Sequence, residues 1–164
     1  YNMFEHLFNP SAAKISERTR VDRPYPYDSK IGDFVLITCK LLSMDRGAQI
    51  NAGVKIVGGG NLIMGKNVVI SYNSVILTGS DTISKGMSDA SLKEERNVVE
   101  GTTILEDNSY IGALCTVNPK CILRESTVLG ANSYLPTETI IPKNEVWWGQ
   151  PAIFKRFRNS PPIS

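Results

Sequence analysis

Few side chains in this sequence could act as metal ligands or nucleophiles. The 164 residues include one histidine, His6, and three cysteines, Cys39, Cys115 and Cys121. An odd and low number of cysteines does not make a disulfide framework, so we expect reduced, buried thiols in a cytoplasmic protein. A zinc site built on three histidines would need two more than the chain contains. We therefore expect no metal site.

The segment 60–67 comes close to a nucleotide-binding phosphate loop, G-x4-G-K-[ST]. Its last residue is Asn67 in place of Ser or Thr, and the four residues between Gly60 and Gly65 are mostly apolar. Met64 also falls in the apolar repeat described below. We therefore reject the phosphate loop and interpret the three glycines at 58–60 as a tight corner.

A cluster of cations and aromatic rings, F-K-R-F-R, occupies residues 154–158. Such a cluster could stack on and neutralise RNA. However, the chain has 18 Lys and Arg against 16 Asp and Glu, a net charge of only +2, whereas nucleic-acid binders usually carry a strong basic excess. We therefore predict no nucleic-acid partner, and these cations could simply lie in solvent.

The composition indicates one ordinary globular domain. Apolar residues make up 41% of the chain, enough for a core, and charged residues 21%, too few and too mixed for a disordered chain. The longest uninterrupted apolar run, residues 34–37, is far too short to span a membrane, and the first residues have neither a basic start nor an apolar signal core. We expect a cytoplasmic protein without a transmembrane segment.

Aliphatic residues or methionine recur at every sixth position in two segments. These positions are Met64, Ile70, Ile76, Val99, Leu105, Ile111, Val117, Leu123, Leu129 and Leu135. A helix would need apolar residues three and four apart, and a lone strand would need every second residue. A fixed six-residue period is typical of a parallel β-helix, in which these side chains form one buried column.

Two other positions of the hexad support a β-helix. The fifth position is small or β-branched, as expected for side chains that point into a narrow interior. It contains Val68, Ser74, Ser80, Thr103, Ser109, Cys115, Cys121, Thr127 and Ser133. The fourth position includes Asn67, Asn73, Gly79, Asn108 and Asn132, residue types that tolerate left-handed turns. Each hexad is thus predicted to be a short strand followed by a turn.

The repeat divides the chain into three parts. Residues 31–146 are predicted to form the β-helix, with irregular coils over 31–63 and an external loop over 82–97, where the repeat breaks. Residues 1–30 form an N-terminal cap segment, and the apolar spacing over residues 3–20 predicts a short helical cap with Ser11 as its N-cap. Residues 147–164 are predicted to be a C-terminal tail that packs on the β-helix.

The hexads MGKNVV-ISYNSV-ILTGSD and LEDNSY-IGALCT-VNPKCI-LRESTV-LGANSY resemble those of the hexapeptide-repeat acyltransferases. The closing residues 147–152, W-W-G-Q-P-A, followed by Lys155 and Arg156, are similar to the Trp-x-Gly-x-Pro-Ala-Lys ending of that family. In detail the chain looks most like the sugar O-acetyltransferases of surface-polysaccharide biosynthesis. The resemblance, which covers about residues 31–158, implies a left-handed β-helix, a homotrimer, and acetyl-CoA bound between neighbouring prisms.

The resemblance also implies roles for individual residues. Ala113 and Ala131 would face the pantetheine arm of acetyl-CoA, and Pro136 and Thr137 would frame it. Trp148 would lie near the adenine. The cations nearest to the phosphates would be Lys155, Arg156 and Arg158. Asn51 would lie at the acceptor site. Trp147 and Trp148 could equally be core or interface residues.

The histidine base that the family usually supplies just before the external loop is absent. The corresponding stretch here is 78–81, T-G-S-D, so Ser80 and Asp81 become the candidate catalytic residues. Asp81 could act as a base if desolvation raised its pKa, or the acceptor could be an amine, which is a better nucleophile than a hydroxyl. Asp81 could also be an ordinary turn residue.

These observations lead to one expected function and two alternatives. The expected function is transfer of an acetyl group from acetyl-CoA to a hydroxyl of a sugar or nucleotide-sugar acceptor, in lipopolysaccharide or capsule biosynthesis. One alternative is N-acetylation of an amino sugar. The other is a catalytically silent β-helix that serves as a scaffold or binding module.

Overall fold

The computed structural model describes residues 14–22, 28–81 and 98–159, with the backbone alone at Asp22 and Asp81. These residues form 21 short strands and no helix. Three parallel sheets form the sides of a prism, and the chain passes around them in six successive coils. The architecture is the left-handed parallel β-helix with a hexapeptide repeat that the sequence predicts.

Each coil contributes one strand to each of three faces. Face A contains β1 (Lys14–Ile15), β4 (Leu36–Ile37), β7 (Lys55–Val57), β10 (Val75–Leu77), β15 (Thr116–Val117) and β18 (Tyr134–Leu135). Face B contains β2 (Arg20–Asp22), β5 (Leu41–Met44), β8 (Asn61–Met64), β13 (Thr102–Leu105), β16 (Ile122–Leu123) and β19 (Ile140–Ile141). Face C contains β3 (Lys30–Ile31), β6 (Gln49–Ile50), β9 (Val69–Ile70), β14 (Tyr110–Ile111), β17 (Val128–Leu129) and β20 (Glu145–Gly149).

Three further strands depart from this pattern. β11 (Gly79–Asp81) and β12 (Val98–Glu100) pair antiparallel and flank residues 82–97. The predicted external loop over 82–97 itself lies outside the described residues. β21 (Ala152–Phe157) turns back antiparallel on β20 and ends face C. The tail after residue 147 therefore extends a sheet of the prism.

We name the three edges of the prism after the faces that they join. The AB edge is formed by residues 38–40, 58–60, 78 and 101 with the hairpin between them, 118–121 and 136–139. The BC edge is formed by residues 45–48, 65–68, 106–109, 124–127 and 142–144. The CA edge is formed by residues 32–35, 51–54, 71–74, 112–115, 130–133 and 150–151.

The predicted apolar column is confirmed at nine of its ten positions. From Met64 to Ile76 and from Leu105 to Leu135, each sixth side chain is at most 1% exposed. Burial of each of these side chains contributes roughly 1.5–3 kcal/mol to folding. Val99 is the exception, because its strand β12 pairs with β11 in the hairpin and lies outside the three parallel sheets.

The predicted corner geometry is also observed. Asn67, Asn73, Asn108 and Asn132 have φ between 55° and 60°, in the left-handed region. The same conformation continues at six-residue spacing through Leu114, Lys120, Ser126, Glu138 and Asn144, of which the first four are residue types that gave no such signal. Gly79 and Ser80, which the hexad frame placed in a corner and in the interior, are instead part of the hairpin.

The early coils are regular in their strand pairing, although their sequence frames are offset. Met44 follows Ile37 by seven residues and Met64 follows Ile56 by eight, and both steps cross the AB edge. The hairpin also leaves the prism at this edge, between Ile76 and Leu105. Extra residues at one edge therefore shift the sequence frame without disturbing the ladders.

The predicted helix over residues 3–20 is wrong in its described part, 14–20. Lys14 and Ile15 pair with Leu36 and Ile37, so these residues already form the first strand of face A. Ile15 and Val21, six residues apart, both pack against the core, which favours strands over the helix. The β-helix thus begins before the expected residue 31. Ser11 and His6 lie outside the described residues. None of the described segments forms a helix able to cross a membrane.

Candidate active site

A groove of about 560 Å³ crosses face A in its last coils. Thr116 and Tyr134, which precede the buried Val117 and Leu135 on their strands, point outward and form its floor. The CA edge forms one wall, and the AB edge contributes Pro136 to the other. The groove is lined by Leu114, Thr116, Asn132, Ser133, Tyr134, Pro136, Gln150 and Pro151.

Ala113 and Ala131 lie on the CA edge directly beside this groove. They are stacked in consecutive coils, because the Asn132 N–H donates to the Ala113 carbonyl at 2.8 Å. The coils pack so closely here that a Cβ at Gly112 would lie 2.5 Å from the backbone nitrogen of Ala131. At Gly112, Ala113, Gly130 and Ala131 the CA edge is therefore a close-packed surface of backbone and small side chains, next to the exposed Leu114.

The turn after β20 closes the end of the groove. Gln150 donates from Nε2 to the Asn132 carbonyl at 2.9 Å, and the Gly149 N–H donates to Ser133 Oγ at 3.2 Å. The Gln150–Pro151 peptide bond is cis. Trp148, 38% exposed, packs on Gly130, where an added Cβ would lie 2.9 Å from the Trp148 Cβ.

The three predicted coenzyme cations occupy different environments. The Lys155 ammonium lies 5.4 Å from the centre of the Trp148 ring, a cation–π distance. Arg156 donates from Nη1 to the Phe157 carbonyl at 3.3 Å. Arg158 donates from Nη1 to the Asn108 carbonyl at 2.7 Å and thereby ties the end of β21 to the BC edge. Lys155 is thus the cation placed beside Trp148 and the closing turn.

Ser80 and Asp81 belong to the hairpin at the AB edge, on the other side of face A. Ser80 pairs with Val99, and the Asp81 backbone pairs with Val98. Pro136 and the exposed Thr137 are on the same edge two coils further on, about 10 Å along the axis at ~4.8 Å per coil. The hairpin residues are therefore near the groove but do not line it.

Asn51 is separated from the other predicted site residues. It lies on the CA edge in the second coil, where its backbone N–H donates to the Ile70 carbonyl at 2.9 Å. Two coils, about 10 Å, separate it from Ala113. The structure of a single chain does not bring Asn51 to the groove.

The three cysteines point into the prism and are buried. Burial raises the pKa of Cys39 and of Cys121 to about 11, and raises the pKa of Cys115. Since the thiolate is the reactive form, these thiols are unsuited to nucleophilic catalysis at neutral pH. No group of three metal-ligating side chains occurs within residues 14–22, 28–81 and 98–159.

Several residues of this region escaped the sequence analysis. Leu114, Tyr134 and Gln150 line the groove, yet each occupies an unremarkable position of a hexad or turn. Glu100 was also missed. It lies opposite Gly79 in the hairpin, with its side chain over Gly59. The three glycines at 58–60 were the available signal, because such a run makes room for a neighbouring group.

Solved structures with the same fold include several acyltransferases. AntD, an N-acyltransferase from Bacillus cereus, was crystallised as a variant with dTDP and coenzyme A; it is 22% identical over 88% of this chain and 80% of its own, with a TM-score of 0.63. A hexapeptide-repeat acetyltransferase from Vibrio cholerae, in complex with acetyl coenzyme A, is 19% identical over 95% and 74%, with a TM-score of 0.59. A hexapeptide transferase family protein from Anaplasma phagocytophilum is 16% identical over 88% and 78%, with a TM-score of 0.54.

No protein-family model matches the chain, and no curated protein matches it in sequence. Identities of 16–22% establish the shared architecture and not a shared reaction. What the structure and these likenesses establish together is that the chain has the hexapeptide-repeat, left-handed β-helix fold.

Proposed function

We propose that this protein is an acyltransferase that moves an acetyl group from acetyl-CoA to a sugar or nucleotide-sugar acceptor. The observation that carries the proposal is the groove on face A. It has the closely packed CA edge on one side and ends at the turn of Gln150 and Pro151. The strands on either side of this turn hold Trp148 and Lys155, whose ammonium lies 5.4 Å from the ring centre. An extended thioester arm fits along such an edge, and an exposed ring with an adjacent ammonium suits a nucleotide with phosphates.

The likeness to solved structures supports the same donor. The Vibrio cholerae protein binds acetyl coenzyme A, and AntD binds coenzyme A together with dTDP. Ala113, Ala131, Pro136 and Thr137 would then contact the pantetheine arm, and Lys155, with Arg156 and Arg158 at greater distance, the phosphates. Asn51 would contact the acceptor only if a neighbouring chain brought it to the site.

The acceptor atom is either a hydroxyl or an amine. A hydroxyl was expected from the resemblance to surface-polysaccharide enzymes of the cytoplasm. An amine is favoured by one feature of the hairpin: the stretch 78–81 offers Ser80 and Asp81 but no histidine. An amine needs less help from a base than a hydroxyl does, so a carboxylate can suffice. AntD, an N-acyltransferase that was crystallised with dTDP, is a precedent on this fold.

Association of chains is part of the proposal. The exposed side chains Phe34, Tyr72 and Leu114 are 76%, 56% and 61% exposed on the CA edge, where the described residues include one charge, Asp33. Exposed apolar side chains on one edge favour a protein partner. A homotrimer of the 18.1 kDa chain would have a mass of about 54 kDa by light scattering; a monomer at micromolar concentration would refute it.

Release of coenzyme A thiol tests the activity directly. Acetyl-CoA is incubated with the protein and with sugars and nucleotide sugars that carry either free hydroxyls alone or one amino group. Thiol release that requires an acceptor supports an acyltransferase, and the stability of the product to mild alkali separates an amide from an ester. Failure of acetyl-CoA to bind in a calorimetric titration would refute the proposal and leave the scaffold alternative.

A further inference from the structure

We infer that Glu100 is the catalytic base of the proposed acyl transfer, in the place where a histidine is missing. This inference rests on the proposed function and adds a residue that neither the hexad pattern nor the resemblance indicates. Glu100 is the last residue of β12, directly opposite Gly79, at the base of the hairpin that holds Ser80 and Asp81. It therefore lies at the AB edge, where the chain leaves the prism.

Two glycines leave space for the Glu100 side chain. The three atoms nearest to a Cβ at Gly59 would all belong to Glu100: it would contact Oε1, and it would lie 2.6 Å from Cδ and 2.9 Å from Oε2. A Cβ at Gly79 would lie 3.0 Å from Glu100 Cγ. A side chain at residue 59 would displace the Glu100 carboxylate, and one at residue 79 would press against Glu100 Cγ. The glycine corner at 58–60 thus makes room for the Glu100 carboxylate as well as turning the chain.

The carboxylate is exposed and available to a substrate. Lys120, a cation on this edge, has its aliphatic stem over Gly101, and its ammonium pairs with Glu138 at 3.0 Å. Among the residues that the structure describes, none forms an ion pair with Glu100. A carboxylate beside a hairpin at the edge of the groove-bearing face can accept a proton from an incoming amine or hydroxyl.

The proposed step is balanced without a further reactant. The acceptor nitrogen or oxygen attacks the thioester carbonyl, and its proton passes to the Glu100 carboxylate. The new C–N or C–O bond forms, and the C–S bond breaks. The coenzyme thiolate leaves and takes up the proton that Glu100 holds, which restores the carboxylate.

The experiment compares Glu100→Ala with Glu125→Ala, a matched exposed glutamate on the BC edge that pairs with Lys143 at 2.6 Å. We expect Glu100→Ala to lower kcat by about 10²–10⁴ with KM for acetyl-CoA changed less than about threefold, and formate to restore part of the rate. Glu125→Ala should retain the wild-type rate. Glu100→Asp should retain more activity than Glu100→Ala.

A second variant tests the position of the carboxylate without removing it. Gly59→Ala should displace the flexible end of Glu100, because the three atoms nearest to the added Cβ all belong to that carboxylate. It should lower kcat, and the double variant Gly59→Ala, Glu100→Ala should be no slower than Glu100→Ala alone. Additive losses would overturn the inference.

The remaining outcomes separate the inference from the function on which it rests. If the wild-type protein releases no thiol with any acceptor, the proposed function fails. If the wild-type protein is active and Glu100→Ala matches it, the function stands and the base assignment is wrong. Loss of activity that formate does not restore, accompanied by a lower unfolding midpoint, would show a structural role and also overturn the inference.

Discussion

Leu114 combines an unfavourable backbone conformation with an exposed apolar side chain. Its φ is 59°, and the side chain is 61% exposed at the CA edge, where it lines the groove. The coils before and after it have Asn73 and Asn132 at the same corner position, with φ of 56° in both. Replacing Leu114 by Asn would therefore continue a column of asparagines that the fold already tolerates.

The expected gain in stability follows from the left-handed conformation. That conformation costs most L-residues about 1–2 kcal/mol, and Asn avoids part of this cost. Stacked asparagines can also bond to each other, as Asn67 Nδ2 does to Asn108 Oδ1 at 3.3 Å on the BC edge. We expect Leu114→Asn to raise the free energy of unfolding by about 0.5–1 kcal/mol, a rise in Tm of up to about 4 °C.

The same substitution should weaken the groove. Removal of the leucine side chain takes away an apolar contact worth about 1 kcal/mol to a bound thioester, which corresponds to about a fivefold rise in KM for acetyl-CoA. Ser126→Asn is the matched control, since Ser126 has φ of 60° between Asn108 and Asn144 on the BC edge, away from the groove. It should gain stability and leave KM unchanged.

Urea denaturation and steady-state kinetics measure both effects on the same preparations. A loss of stability in Leu114→Asn, with a gain in Ser126→Asn, would refute the conformational argument. A gain in stability with an unchanged KM would refute the assignment of the groove to the donor. Opposite signs for stability and binding at Leu114 would show that the leucine is retained for its contacts with ligand or partner.

Two further substitutions test the fold and the cation assignment. Leu123→Ala, in the buried column between Leu105 and Ile141, should lower the free energy of unfolding by about 2–5 kcal/mol in urea, whereas Ile122→Ala on the outward side of the same strand should cost well under half of that. Lys155→Ala should raise KM for acetyl-CoA. Arg158→Ala, which loses the hydrogen bond to the Asn108 carbonyl, should chiefly lower Tm. The reverse pattern would place the phosphate site at the BC edge.

The sequence predicts the fold well because each six-residue unit corresponds to one face of a coil. Ile111 and Leu129 are separated by 18 residues and stack as neighbours in one sheet, so their shared apolar character is visible in the chain. The early coils are less visible, since the extra residues at the AB edge before Met44 and Met64 shift the frame. Ile15 and Val21 escaped notice because a pair of hexad positions is too short to reveal a period.

The site is less predictable because stacking brings together residues whose types carry no local signal. Asn132 and Gln150 meet through a hydrogen bond of 2.9 Å although 18 residues separate them. The positions of the cations depend on the direction of β21. Because β21 runs antiparallel to β20, Lys155 lies over Trp148 and Arg158 lies at the BC edge. The resemblance gave Lys155 and Arg158 the same expected role at the phosphates, and only the direction of the strand distinguishes them.

The three edges of the prism differ in their charges, exposed apolar side chains and insertions. The BC edge carries charges that pair with each other, as in Arg124 with Glu106 and Lys143 with Glu125, and such exposed pairs suit a solvated surface. The CA edge is almost uncharged and exposes apolar side chains, and the AB edge holds the insertions and the Glu100 hairpin. Both unusual edges border face A, where the groove lies. Departures from consistent local rules are expected at functional sites, so their concentration on either side of one face supports the proposal that the site lies on face A.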